Sequence, residues 1–236
     1  MTSDGAGESP APVPGEFVCL DAGVLIHFNR IGELDLLGTW LPGACVPEYV
    51  LQEEIVAWTG RYRDNELIAS ATWLRSLPAD TTADAAMIAT LSVRFARSDT
   101  KSVGELHVIA LTKRYKGTAI IEDGQARHAA RDPRAKVKST FWVSMLGAAA
   151  VSGLLADDDA WDLQRRLEEG RDRSVIRSGN KRVFTNLLSG YRDWANRHGW
   201  RHWPLCLHNN GLDLIAIAAA KDQLDQPGMR KRLRLD

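Results

Sequence analysis

Short apolar runs alternate along this chain with helix-length stretches, and that alternation limits the fold more than any other feature of the sequence. FVCLDAGVLIHF opens with a buried-strand run at 17–20, sets Asp21 at its carboxyl end and turns at Gly23 into a helix. ACVPEYVLQEEIVAW follows the same pattern: 44–46 reads as a strand, Pro47 suits a helix start, and Val50, Glu53, Glu54 and Ala57 lie along the helix. Residues 64–77 and 83–97 have helical periodicity, and VGELHVIALTKRYKG is a helix that stops at Gly117. TAIIEDGQARHAARD is a strand leading into a helix. AKVKSTFWVSMLGAAAVSGLL has a strand-like start and then an apolar helix. Strands alternating with helices predict an α/β fold around a mainly parallel sheet.

The two ends differ from this middle. Residues 1–16 are rich in Gly, Pro, Ser and Ala, with too little apolar surface to order themselves, and read as a flexible tail. Beyond Asp157, residues 160–169 and 181–190 look helical. Residues 191–207 hold three of the eight tryptophans, Trp194, Trp200 and Trp203, and GLDLIAIAAAKDQL is an Ala-rich helix before a basic end. The sequence thus divides into a tail (1–16), a main domain (17–187) and a helical C-terminal extension (188–236), expected to pack on the main domain. A hydrophobic share of 44% is enough for a real core. Thirty basic residues against thirty acidic ones give no net charge, so bulk charge carries no nucleic-acid signal. Locally, residues 94–138 hold eleven Lys/Arg against five Asp/Glu. With 171–182 they either flank a phosphate-binding site or form solvated helix faces. Cys19, Cys45 and Cys206 have no metal-like spacing. No disulfide framework, signal peptide or membrane-length apolar run is visible, so a reducing cytoplasm is the expected setting.

Four acids stand where such a fold places ligands. Asp21 and Asp123 end strands, and in parallel α/β sheets ligands bind outside the carboxyl ends of strands. Glu53 and Glu105 lie near helix starts, which face the same rim. Any one strand-end acid taken alone is more often a helix cap or a solvated residue. Four converging carboxylates, however, repel one another and require a cation. An all-oxygen site suits Mg²⁺ or Mn²⁺, which can polarise a phosphoryl oxygen and activate water. Adjacent helical residues diverge by about 100°, so only one of Glu53 and Glu54 can face such a site. Glu122, next to Asp123 at a strand end, is expected to face away.

These segments together resemble the PIN domain family. FVCLDAGVLIHFNRIGELDLL is similar to its opening, CVPEYVLQEEI to its Pro-x-x-Val-x-x-Glu segment, and GELHVIALTKRYKGTAIIEDGQARHAA to its Gly-Glu helix and the strand with a terminal Asp. VKSTFWVSMLGAAAVSGLL resembles the last strand and helix of the branch nearest VapC-type toxins. The resemblance spans about residues 17–187. It implies an α/β/α sandwich and a metal-dependent endoribonuclease in which Asp21, Glu53, Glu105 and Asp123 hold Mg²⁺ or Mn²⁺. It implies RNA as substrate, with single-stranded DNA as the other candidate. It also implies a bacterial toxin–antitoxin or defence setting, with an antitoxin or other protein partner, or a homo-oligomer, and no membrane. Two positions depart from the family. Gly23 stands where Ser, Thr or Asn is usual, and His107 where close relatives often have an acid. They motivate the alternative of a catalytically silent module that binds a protein or RNA.

Other signals are weaker. His198 and His202 are four apart but lack a third ligand and are interrupted by Gly199. Asp213 precedes a helix, but no strand with a terminal acid follows it. An α/β DNA-binding regulator is the third reading, without a clear helix-turn-helix.

Overall fold

In the computed structural model, residues 17–59, 65–95, 103–168 and 181–197 are described. The chain begins with β1 (Val18–Leu20), every residue of it buried, and passes directly into α1 (Ala22–Arg30) and α2 (Leu34–Trp40). β2 (Cys45–Pro47) is buried in the same way and leads into a π-helical turn, Val50–Ile55, and a 3₁₀ turn, Val56–Trp58. Pro47 therefore ends a strand rather than starting a helix. Next come α3 (Asn65–Ala69), β3 (Arg75–Leu77), α4 (Thr82–Phe95) and α5 (Val103–Tyr115). The remainder is β4 (Thr118–Ile120), α6 (Gly124–Arg131), β5 (Lys138–Thr140), α7 (Trp142–Val151), α8 (Asp157–Glu168) and α9 (Lys181–Arg197).

The five strands form one sheet in the order β3-β2-β1-β4-β5, all pairs parallel. Helices pack around it as an α/β/α sandwich. Central β1, β2 and β4 have no exposed residue, as expected of strands covered on both faces. The strand order reverses once. From β1 the chain builds outward through β2 and β3, then returns to lay β4 on the other side of β1. The carboxyl ends of β1 and β4 therefore meet at a topological switch point, where open parallel sheets form their ligand crevice.

One expectation fails here. The helical periodicity of 64–77 resolves into the short helix α3 and the edge strand β3. The amide of Arg75 donates to Ala44 O at 2.8 Å, which starts the pairing with β2. Leu77 precedes Pro78, a position that disfavours helix. RSL also lacks the β-branched and aromatic residues that mark a strand. At the other edge, α7 is buried on all sides from Trp142 to Ala150, because α8 and α9 pack on it. The expected boundary between 187 and 188 falls inside α9, whose Phe184 and Leu188 are both 1% exposed. The tail 1–16 and residues 198–236, with His198, His202, Trp200, Trp203 and Asp213, lie outside the described residues.

Candidate functional site

A cleft of about 540 Å³ opens at the switch point, and six carboxylates line it: Asp21, Glu54, Glu105, Glu122, Asp123 and Glu168. Asp21 is the residue after β1. Its amide extends the sheet by donating to Ile120 O at 3.1 Å, which fixes the side chain at the seam between β1 and β4. Its Oδ2 accepts from the amide of Glu122 at 3.1 Å. Asp21 is only 3% exposed. Burial pushes its carboxyl up to about 6 and nearby Asp123 pushes the same way, while the amides of Gly23 and Ala22 and the His27 ring counteract them. Asp123 caps α6, accepting from the amide of Ala126 at 2.8 Å.

Glu105 projects from the first turn of α5, and its buried Oε2 has no hydrogen-bond partner. Burial, then Asp21, Glu54 and Asp123, push its carboxyl up to about 8. Glu54 reaches in from the π-helical turn and rests against the amino end of α5. There a side chain at Gly104 would collide with the Glu54 carboxylate. Burial, then Asp21, push Glu54 up to about 7, partly offset by a hydrogen bond from the Gly104 amide.

The structure thus brings Asp21, Glu105 and Asp123 to one cleft but leaves Glu53 out. Glu53 is exposed and Glu54 takes its place on the cleft wall. The reason is the π turn. Pairing i to i+5 widens the turn by one residue, so Val50 and Ile55, both fully buried, share the inward face. An α-helix would keep both glutamates, three and four residues past Val50, near that residue's face; the wider turn leaves Glu54 flanking that face and carries Glu53, the residue the family motif points to, outward.

Glu122 is the second correction. β4 ends at Ile120, so strand alternation does not extend to Glu122, which turns into the cleft beside Asp123. Its Oε2 lies 3.1 Å from His27 Nε2. Arg127 holds the loop beneath it, donating to the carbonyls of Ile121 at 2.8 Å and Glu122 at 2.5 Å while covering the Phe141 ring at 4.5 Å. Glu168, also unforeseen, comes from α8; it is 6% exposed and accepts from Gln164 Nε2. The sequence signal for it is faint: a polar i, i+4 pair on the buried side of an amphipathic helix. His107 is not part of the cleft wall. It sits two residues past Glu105, roughly 200° around the helix, and stacks on Tyr49 at 4.6 Å.

Of the basic residues between 94 and 138, Arg127 lines the cleft while holding the Ile121 and Glu122 carbonyls, and Arg114 lies elsewhere, on Asp84 and the Pro78 carbonyl. Arg30, from α1, adds another guanidinium to the cleft wall. Among the described residues no three His, Cys, Asp or Glu side chains already stand close enough to enclose an ion. The donor chemistry nevertheless fits a hard divalent cation. Carboxylates that raise one another's pKa, with a buried oxygen left unpaired, gain from a positive charge placed between them.

Residues 17–169 match a family model described as a PIN domain. Neither the curated proteins nor the solved structures contain a match to the chain.

Proposed function

The chain belongs to the PIN domain family, and from that premise we propose that it is a Mg²⁺- or Mn²⁺-dependent nuclease that cleaves RNA phosphodiester bonds. The observation that carries the proposal is the meeting of Asp21 and Asp123 at the switch point, with Glu54 and Glu105 facing them across one cleft. In this reading Asp21, Glu54, Glu105 and Asp123 hold the cation. A divalent ion so held would polarise a phosphoryl oxygen and activate a water for in-line attack.

The chain's own groups set the conditions for that chemistry. Asp21 is fixed through its main chain to β4, so its carboxylate cannot retreat from the seam. Glu105 and Glu54, pushed up to about 8 and about 7 mainly by burial, would release protons on binding a cation near neutrality. Arg30 and Arg127, the latter also bound to the Ile121 and Glu122 carbonyls, place positive charge on the cleft wall that favours a nearby phosphate. The cleft volume falls within the usual range for small-ligand sites, so it can admit a nucleotide at the reacting phosphate.

RNA as the substrate and the toxin–antitoxin or defence setting come from the resemblance to the PIN family and its VapC-type branch, and the cytoplasm from the cysteine pattern of the sequence. No helix among the described residues is long and apolar enough to cross a membrane. The test is incubation of the purified chain with RNA and with single-stranded DNA, in Mn²⁺ and in chelator. Cleavage of RNA in Mn²⁺ alone is the expected result. Binding of RNA without cleavage in Mn²⁺ would replace the nuclease by the silent module that Gly23 raised. Cleavage of DNA alone would change the substrate.

A further inference from the structure

Gly23 looks like a loss at the cleft, since a glycine offers no side-chain oxygen. The structure shows what has moved into its place. A Cβ built on Gly23 would lie 2.5 Å from Glu122 Oε2 and 3.2 Å from both Glu122 Cβ and Cδ. At 2.5 Å a Cβ would overlap the carboxylate oxygen, so a larger residue at 23 would require the end of the Glu122 side chain to shift. Gly23 and Glu122 are ninety-nine positions apart in sequence and belong to the two neighbouring strand ends. The main chain of Glu122 is tied to Asp21, and its carboxylate lies beside the His27 ring. The Glu122 amide donates to Asp21 Oδ2 at 3.1 Å, and Glu122 Oε2 meets His27 Nε2 at 3.1 Å. Both the carboxylate and the ring are only 16% exposed. A strand-end acid that merely solvated itself would turn outward. This one turns in, next to Asp21 and Asp123, into the space beside Gly23.

We propose that Glu122 is a further member of the cation-holding set, a carboxylate supplied from the β4 end in the space that Gly23 leaves empty. The inference rests on the metal-dependent reading of the cleft and assigns one more residue to it. Glu122 adds negative charge beside Asp21, and Gly23 is the residue that makes room for it. The His27 ring keeps the carboxylate on the β1 side of the cleft.

The test is Mn²⁺ binding measured by calorimetry on the full chain without nucleic acid, alongside Mn²⁺-dependent thermal shifts. Glu122→Gln preserves shape and removes the charge. It should weaken Mn²⁺ binding by about tenfold or more while the metal-free protein stays folded by circular dichroism. Glu122→Ala should do the same, and adding Gly23→Ser to it should restore part of the affinity, because the hydroxyl enters the vacated volume. Gly23→Ser alone should weaken binding, since it collides with Glu122. Exposed Glu53→Gln is the control and should bind as the parent does. Parental Mn²⁺ affinity in Glu122→Gln, with binding lost in Asp21→Asn, would overturn the assignment of Glu122 and leave the metal centre standing. A parent chain that takes up no Mn²⁺ would overturn the metal reading, and this inference with it.

Discussion

Asp21 has lost nearly all of its hydration at 3% exposure, and it faces other acids across the cleft. Its carboxyl, with those of Glu54 and Glu105, sits above the unfolded value of roughly 4. The sign of the consequence follows from proton counting. Between that value and the raised ones the folded chain binds more protons than the unfolded chain, so stability falls as pH rises. The metal-free protein should therefore melt at progressively lower temperature from about pH 5 to about pH 8, a decline that Mn²⁺ reverses most strongly at the upper end. A flat melting profile over that range would show that these groups are not under such pressure. Asp21→Asn should raise the metal-free melting temperature while cutting cleavage by at least roughly tenfold, the loss of a contact worth about 1.4 kcal/mol in the transition state. Glu54→Gln should lose activity on the same scale, and Glu53→Gln should lose none. The reverse ranking in a cleavage assay would return the role to Glu53.

The π-helical turn Val50–Ile55 decides which of two adjacent glutamates faces the cleft. Deleting Glu53 removes one residue from the wide turn and leaves Glu54 three residues past Val50, a spacing that an α-helix also keeps on Val50's face. The deletion should fold, retain helical circular dichroism and still bind Mn²⁺. Loss of Mn²⁺ binding in a folded deletion would show that the π geometry itself is required. A second element-scale feature joins the α4 start to α5. Arg114 pairs with Asp84, whose carboxylate also accepts from the Thr81 amide at 3.1 Å and hydroxyl at 2.6 Å. Burial raises the Asp84 carboxyl, but the hydrogen bonds from Arg114 and Thr81 outweigh it and leave the group below its usual value. That stability is present above the unfolded carboxyl value and is lost as pH falls through the lowered one. Arg114→Ala removes the cation from a carboxylate that is 3% exposed and should cost about 3 kcal/mol in denaturant unfolding. A change under about 0.5 kcal/mol would mean that the pair is effectively solvated.

At the scale of the molecule, α9 belongs to the fold rather than to an appendage. Phe184 meets Trp161 at 5.6 Å, Leu188 is buried, and Arg192 pairs with Asp157. Leu188→Ala should destabilise the whole chain by about 2–5 kcal/mol, in one cooperative transition. A loss confined to a separate, earlier transition would make α9 an independent module. Much of the architecture was legible in the residues. The apolar runs of β1, β2 and β4 have no exposed residue because they are covered on both faces, and such strands read as continuous hydrophobic segments. Asp21 and Asp123 were legible for a related reason, since an acid that closes an apolar run marks a strand end. β3 was not, because three half-exposed residues at a sheet edge carry no pattern of their own and are strands only through pairing with β2. Nor were the sides taken by Glu54, Glu122 and Glu168. The period of a helix or strand gives a side chain's direction only while the period holds. A π turn after β2 and an irregular loop after β4 each break it, and Glu168 enters from a helix whose packing no local pattern states. Sequence alone determined which segments are strands buried in a parallel sheet and where their acids fall. Tertiary structure decided which carboxylates share the cleft, because that depends on which backbone leaves room, as Gly23 does for Glu122 and Gly104 for Glu54.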